Sequence, residues 1–221
     1  MHVLVIGASR GIGLEFVRQY RHAGHRVTAT ARDEAGLAKL RGLGANALKV
    51  DVAQPASVSG LSWQLDGEKF DVAVYVAGVM SQAGAKSPPT QQEFDSVLHT
   101  NLLGAMQAIP QVAPLVEAAG GRFVFITSDM ARIDGVASSY GWVYRASKAA
   151  LNIAVAAAQH DYPGAILAAF SPGWVQTDMG GAGAPLTAEQ SVQAMRQGIA
   201  ALQEKDAGGF FRHDGRRFES W

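Results

Sequence analysis

The sequence predicts an α/β fold: a doubly wound, seven-stranded parallel sheet with helices on both faces. Three observations lead there. Short, near-continuously apolar runs alternate with longer helical patterns along the chain, as strands covered on both faces require. A glycine-rich turn, Gly7-Ala8-Ser9-Arg10-Gly11-Ile12-Gly13, joins the first run to the first helical pattern. No repeat, low-complexity tract or interdomain linker interrupts the series, so residues 1–221 read as one domain.

The expected strands are His2–Ile6, Arg26–Ala31, Ala45–Val50, Asp71–Ala77, Arg122–Thr127, Ala165–Phe170 and Gly209–Arg212, most of them rich in β-branched residues. Helical patterns cover Ile12–Ala23, Glu34–Leu43, Gln92–Leu103 and Tyr144–Gln159. Ser87-Pro88-Pro89-Thr90 reads as a loop leading into a helix capped by Thr90, with Glu93 as its capping-box partner. Pro110 and Pro114 are expected to bend or end the helix that follows Asn101. Gly180–Pro185 reads as the most flexible stretch and a short lid. Thr187 opens another helix, and Asp214-Gly215 marks a tight turn.

Composition narrows the function. The 19 basic residues balance 19 acidic ones, so no electrostatic footprint for nucleic acid or an anionic membrane exists. Cysteine is absent, which excludes disulfides, thiol catalysis and thiolate metal sites, and no metal site is expected. Met1–Gly7 lacks the basic region of a signal peptide and no segment is apolar enough to span a bilayer, so a cytoplasmic location is expected.

The glycine turn lets a backbone bend sharply and lets a dinucleotide pyrophosphate approach the positive end of a helix. It lacks the lysine and hydroxyl of a nucleoside-triphosphate loop. Gly7, Ser9, Arg10, Gly11, Ile12 and Gly13 are therefore candidate cofactor ligands. Thr30-Ala31-Arg32 ends the second strand where an NAD enzyme usually carries an acid for the ribose 2′-hydroxyl. Arg10 and Arg32 suit a 2′-phosphate instead, so NADP(H) is expected in preference to NAD(H). Asp51, beside Val52, is placed to accept from the adenine amino group.

Tyr144 and Lys148 stand at helical (i, i+4) spacing and share a face. An ammonium beside a phenol favours the phenolate and is expected to draw the tyrosine down toward neutrality.

Taken in order, the Gly7–Gly13 loop, Asp51-Val52, Ala77-Gly78, Asn101, Ser128, Tyr144-x-x-x-Lys148 and Pro172-Gly173 resemble the short-chain dehydrogenase/reductase family, over essentially the whole chain. The closest likeness is to a branch of small carbonyl reductases typified by the C-factor and Sniffer proteins. Tyr144–Asn152 and Pro172–Gly181 are similar to that branch's signatures, and so is the lengthened loop between Ser128 and Tyr144. The resemblance implies a Rossmann fold and an NADPH-dependent reduction of an aldehyde, ketone or quinone to an alcohol. It implies Tyr144 as general acid/base, Lys148 as its partner and a ribose ligand, Ser128 as donor to the substrate oxygen and Asn101 in a proton relay. It adds Ala77, Gly78, Pro172, Gly173, Val175 and Thr177 to the cofactor contacts, with Asn101, Tyr144 and Lys148. It also implies a homodimer or homotetramer through the helices around Gln92–Ala118 and Tyr144–Gln159.

The chain departs from the family pattern at Ile6, where a threonine is usual, and at Tyr75-Val76, where two asparagines brace sheet and ribose. Neither Tyr75 nor Val76 is expected to replace them, which is the only sequence support for an alternative that the complete Asn101, Ser128, Tyr144 and Lys148 set opposes: a protein that binds NADP(H) for sensing or signalling with little chemistry. Met80, Met130, Tyr140, Trp142, Trp174 and Met179 are the expected walls of an apolar pocket for a small carbonyl substrate.

Overall fold

The computed structural model describes residues 1–221. Its strands are β1 (His2–Ile6), β2 (Arg26–Ala31), β3 (Asn46–Lys49), β4 (Val72–Tyr75), β5 (Arg122–Ile126), β6 (Ile166–Phe170), β7 (Val175–Gln176), β8 (Leu186–Thr187) and β9 (Phe210–Phe211). Its helices are α1 (Gly11–His22), α2 (Glu34–Gly42), α3 (Pro55–Ser59), α4 (Leu61–Gln64), α5 (Gln91–Leu98), α6 (Gly104–Glu117), α7 (Trp142–Ala158) and α8 (Ala188–Ala201). Seven strands form one parallel sheet, as the sequence predicts, in the order β3-β2-β1-β4-β5-β6-β9. The order reverses between β1 and β4. Their carboxyl ends therefore feed connections to opposite faces and leave a crevice between them.

Side-chain alternation explains the apolar runs. Val3 and Val5 of β1 join a cluster with Phe16, Leu37, Phe170, Met195 and Ile199, under α1, α2 and α8. Leu4 and Ile6 enter a second cluster with Tyr75, Val112, Phe123, Phe125 and Leu151, under α6 and α7. Because successive residues point to opposite faces, a strand buried on both must be apolar at every position. Each fully buried Leu or Phe contributes about 1.5–3 kcal/mol.

Several boundaries differ from expectation. Strands β3, β4 and β9 are shorter; at the end of β4, Val76 and Ala77 both donate to the Ile6 carbonyl, at 2.8 and 3.2 Å. The pattern expected as one helix over Gln92–Leu103 is α5, then a π-helical turn over His99–Leu103, continuing into α6. Pro110 and Pro114 do not end α6, which runs through both to Glu117. Both prolines sit on its exposed face, so water reaches the carbonyls whose partners they remove. Thr90 caps α5 by accepting from the Glu93 N–H at 3.1 Å, but the Glu93 carboxylate takes the Ser81 hydroxyl, leaving the box half closed. Thr187 and Gln190 close a full capping box on α8. The two-stranded parallel sheet of β7 and β8 was not expected; two-residue strands carry no periodicity to read.

Candidate active site

The glycine turn is shaped by what a side chain would strike. Gly7 has φ +87°, and a Cβ there would lie 2.7 Å from Ala77. A Cβ on Gly13 would lie 2.3 Å from the Gly7 carbonyl oxygen. The Gly7 N–H donates to Thr30 Oγ1 at 3.0 Å, so the neighbouring strand supplies a hydroxyl close to where Ile6 stands in place of threonine. Gly36, at the start of α2, is equally confined: its Cβ would meet Ala31 and Ser9 at 2.8 Å. These fits open a cleft of about 480 Å³ at the crevice between β1 and β4.

Most expected cofactor residues line this cleft: Gly7, Ser9, Arg10, Gly11, Ile12, Gly13, Arg32, Asp51, Val52, Ala77, Gly78, Tyr144, Lys148, Pro172 and Thr177. Gly173 and Val175 do not line it, and Val175 is buried in β7. The Asp51 carboxylate accepts from the Ala53 N–H at 3.1 Å, as a turn aspartate does. Arg10 and Arg32 reach the cleft mouth, where Arg10 pairs with Asp178 at 3.0 Å and Arg32 lies 3.9 Å from Asp33. Lys39 and Asp178 also line the cleft, and the sequence reading did not single them out. Lys39 was legible as the residue one helical turn beyond Gly36.

At the deep end, Asn101 is fully buried in the π-turn. Its amide donates to the Val79 carbonyl at 2.8 Å and to Ser147 Oγ at 3.0 Å, and accepts from the Val79 N–H at 2.8 Å. The side chain that tops the π-turn thus pins the segment after β4. Tyr75 corrects an expectation. Its buried hydroxyl donates to the Thr100 carbonyl at 2.9 Å, so it does brace the sheet against the π-turn. Gly104 makes room for it, since a Cβ there would lie 2.7 Å from that hydroxyl.

Tyr144 and Lys148 are buried on α7, within its first two turns. Lys148 Nζ donates to the Ile126 carbonyl at 2.8 Å and lies 5.8 Å from the centre of the Tyr144 ring. Burial lowers Lys148 to about 8. The expectation that Lys148 draws Tyr144 down is not met in this arrangement. Burial pushes the phenol up to about 12, a hydrogen bond from Ser128 opposes the rise, and the Asp129 charge adds to it. Ser128 Oγ accepts from the Met130 N–H at 3.1 Å and reaches Tyr144; Ser128 itself does not line the cleft.

The expected substrate walls divide. Met179 lines the cleft. Met80 and Met130 pack about Gly141 at the head of α7, and the Trp142 Nε1 is buried without a partner. Tyr140 and Trp174 are exposed at 48% and 60% and do not line the cleft. The Gly180–Pro185 stretch is tied down, contrary to the lid expected of it. Trp174 Nε1 donates to the Gly180 carbonyl at 2.7 Å, Gln176 to the Ala184 carbonyl at 2.9 Å, and the Gly180 N–H to Thr177 Oγ1 at 3.1 Å.

The model of the short chain dehydrogenase family matches residues 1–185. The chain belongs to that family. It is 34% identical over 148 residues to the C-signal protein of Myxococcus xanthus, covering 66% of this chain and 89% of that one. The carbonyl reductase Sniffer of D. melanogaster superposes with a TM-score of 0.91 at 27% identity, over 100% of this chain and 99% of that one. A short-chain dehydrogenase/reductase from Burkholderia multivorans, solved with bound NADP, gives 0.90 at 26% identity over 100% and 99%. The chain is thus an oxidoreductase similar to the Sniffer and C-signal branch, as the motifs imply. No helix is long and apolar enough to cross a membrane.

Proposed function

We propose that the protein is an NADPH-dependent carbonyl reductase in which Tyr144 delivers the proton. The observation that carries this reading is the convergence of Tyr144, Lys148 and a glycine-built crevice on one cleft. The fit to a dinucleotide rests on the cradle itself, since side chains at Gly7 and Gly13 would fill it. Arg10, Arg32 and Lys39 supply positive charge at the mouth, which suits a 2′-phosphate. A nicotinamide bound in the cleft supplies the hydride.

The remaining chemistry belongs to the chain. With its phenol held near 12, Tyr144 keeps its proton at neutral pH and meets the carbonyl as an acid. Ser128 donates to the same oxygen, where negative charge grows as the carbonyl is reduced. Lys148, whose Nζ donates to the Ile126 carbonyl and lies 5.8 Å from the centre of the Tyr144 ring, serves on this reading as a ligand of the cofactor ribose. Asn101 keeps the segment after β4 and the head of α7 in register, which fixes Tyr144 against the cleft. The substrate is a small aldehyde, ketone or quinone with an apolar body, entering past Met179. The alternative, a cofactor sensor with little chemistry, loses its main support because Tyr75 braces the site.

Two copies pair, on this reading, through the outer faces of α5, α6 and α7. Phe94, Met106 and Ile153 are exposed there at 44%, 50% and 66%. Sedimentation velocity giving a monomer at micromolar concentration would remove that part. The activity is tested with NADPH and three probes: p-nitrobenzaldehyde, phenylglyoxal and menadione. Oxidation of NADPH with at least one is expected. Absence of turnover with all three, together with tight NADPH binding, would favour the sensor.

A further inference from the structure

Ser171 is 1% exposed and belongs to none of the groups so far given a role in the chemistry. It follows β6, as Ser128 follows β5, at the carboxyl ends of adjacent strands. Its hydroxyl accepts from the Asp129 N–H at 3.1 Å and from the Gly173 N–H at 3.3 Å, and donates to the Asp129 carboxylate. A serine hydroxyl has one proton and two lone pairs, so every capacity is used. Its own N–H is spent on the Phe211 carbonyl at 2.8 Å. One buried hydroxyl therefore fastens the turn that carries Ser128 to the segment that carries Pro172, a wall of the cofactor cleft. Pro172 is anchored in turn by Ser191, which donates to its carbonyl at 2.7 Å.

We propose that Ser171 is a positioning residue for the reaction, clamping the Ser128–Asp129 turn to Pro172–Gly173 and so fixing Ser128 Oγ and the Asp129 carboxylate relative to Tyr144. The proposal rests on the reading of Tyr144 as proton donor. The neighbours of α7 are the turn at Asp129, strand β6, the π-turn, α5, α6 and the short turn Gln159–Asp161. Their titratable groups are Asp129, His99, Glu93, Asp95, Glu117, His160 and Asp161, with Arg145 and Lys148 on α7 itself. Of these only Asp129 acts on the phenol by its charge, and it raises it. A clamp that holds this carboxylate therefore also sets where the phenol ionises.

The test compares Ser171→Ala, Ser171→Thr, Asp129→Asn and Tyr144→Phe as full-length proteins. The readouts are kcat and KM for phenylglyoxal (or whichever of the three probes the wild type reduces), its kcat/KM against pH, NADPH affinity by fluorescence, and thermal unfolding. Ser171→Ala is expected to lower kcat about tenfold, since small misplacements of reacting groups are costly, with NADPH affinity within about twofold. Ser171→Thr keeps the hydroxyl and is expected to restore kcat. The alkaline fall of kcat/KM should move to lower pH in Asp129→Asn, and in the same direction in Ser171→Ala. A Ser171→Ala protein with wild-type kcat and an unmoved alkaline fall would overturn the proposal. So would loss of kcat in step with stability and NADPH affinity, unrepaired by threonine, because that is merely a structural defect. Should Tyr144→Phe retain turnover, the proton-donor reading fails first and this inference falls with it; an inactive Tyr144→Phe beside an unaffected Ser171→Ala removes this inference alone.

Discussion

The two ends of the cleft are built by opposite means. The glycine-loop end is made by side chains that are missing: at Gly7, Gly13 and Gly36 a Cβ would sit under 3 Å from its neighbours, backbone atoms at the first two and the Ala31 and Ser9 side chains at the third. The tyrosine end is made by polar side chains that are buried: Asn101, Tyr144, Ser147 and Lys148 are all nearly inaccessible. At the first end the stabilising contribution comes from steric fit. At the second, desolvation displaces Tyr144 upward and Lys148 downward, so the fold carries a cost that only chemistry explains. The lesson is that binding geometry and reactivity are separable here, and mutations should separate them.

The largest expected effect is at the steric end. Gly13→Ala places a methyl 2.3 Å from the Gly7 oxygen and 2.9 Å from Ala8 Cα, both backbone atoms that have nowhere to go. Overpacking of this kind costs about 1–3 kcal/mol. Calorimetry should record a lower Tm, and fluorescence a loss of NADPH binding; a variant that binds normally breaks the steric half of the comparison.

Lys148→Met should do the reverse at the polar end. Lys148 drops from 10.5 to about 8 on folding. Between those values the unfolded chain holds a proton the folded one has released, so this group makes stability rise with pH from about 8 to 10.5. Below about 8 the folded state carries the whole cost of burying the charge. Tyr144 acts oppositely: raised from 10.0 to about 12, it makes stability fall as pH climbs through that window. Removing the ammonium should raise stability at pH 7 by about 1–2 kcal/mol, after loss of its bond to Ile126 is allowed for. Turnover should fall by roughly a hundredfold or more. Thermal melts at pH 7 and pH 10 check this, since the gain should shrink at the higher pH.

Smaller effects refine the picture. Arg32→Ala should cost about 1.5–3 kcal/mol toward NADPH and little toward NADH, because a charge-assisted bond to a 2′-phosphate is lost. Paired titrations with both cofactors test it, and an equal loss for the two would count against the NADP(H) preference. Tyr75→Phe should cost about 1 kcal/mol of stability, the worth of its bond to Thr100, with turnover nearly unchanged.

How far the sequence could be read follows the same division. The glycine loop was legible because its requirement is local: a sharp turn between a strand and a helix admits few residues. Tyr144 and Lys148 were legible because helical spacing places them on one face, and the parallel, doubly wound sheet was legible from the alternation of apolar runs with helices. What escaped depends on partners distant in sequence. Tyr75 looked like a loss because nothing in Tyr75-Val76 announces that Thr100 and Gly104 receive its hydroxyl. The π-turn was hidden because Asn101 finds Val79 and Ser147 only after folding. Gly180–Pro185 looked free because composition cannot report that Trp174 and Gln176 hold it. The rise in Tyr144 was missed because spacing specifies proximity to Lys148 and says nothing of burial, which here outweighs it.

The most direct measurement is made on one purified Tyr144→Phe protein, with NADPH affinity and NADPH oxidation by phenylglyoxal, menadione and p-nitrobenzaldehyde recorded on the same sample. The account predicts affinity close to wild type and turnover reduced by roughly 10²–10⁴-fold, because only the proton is lost while the cradle of glycines is untouched. Turnover that survives the loss of the phenol would contradict it.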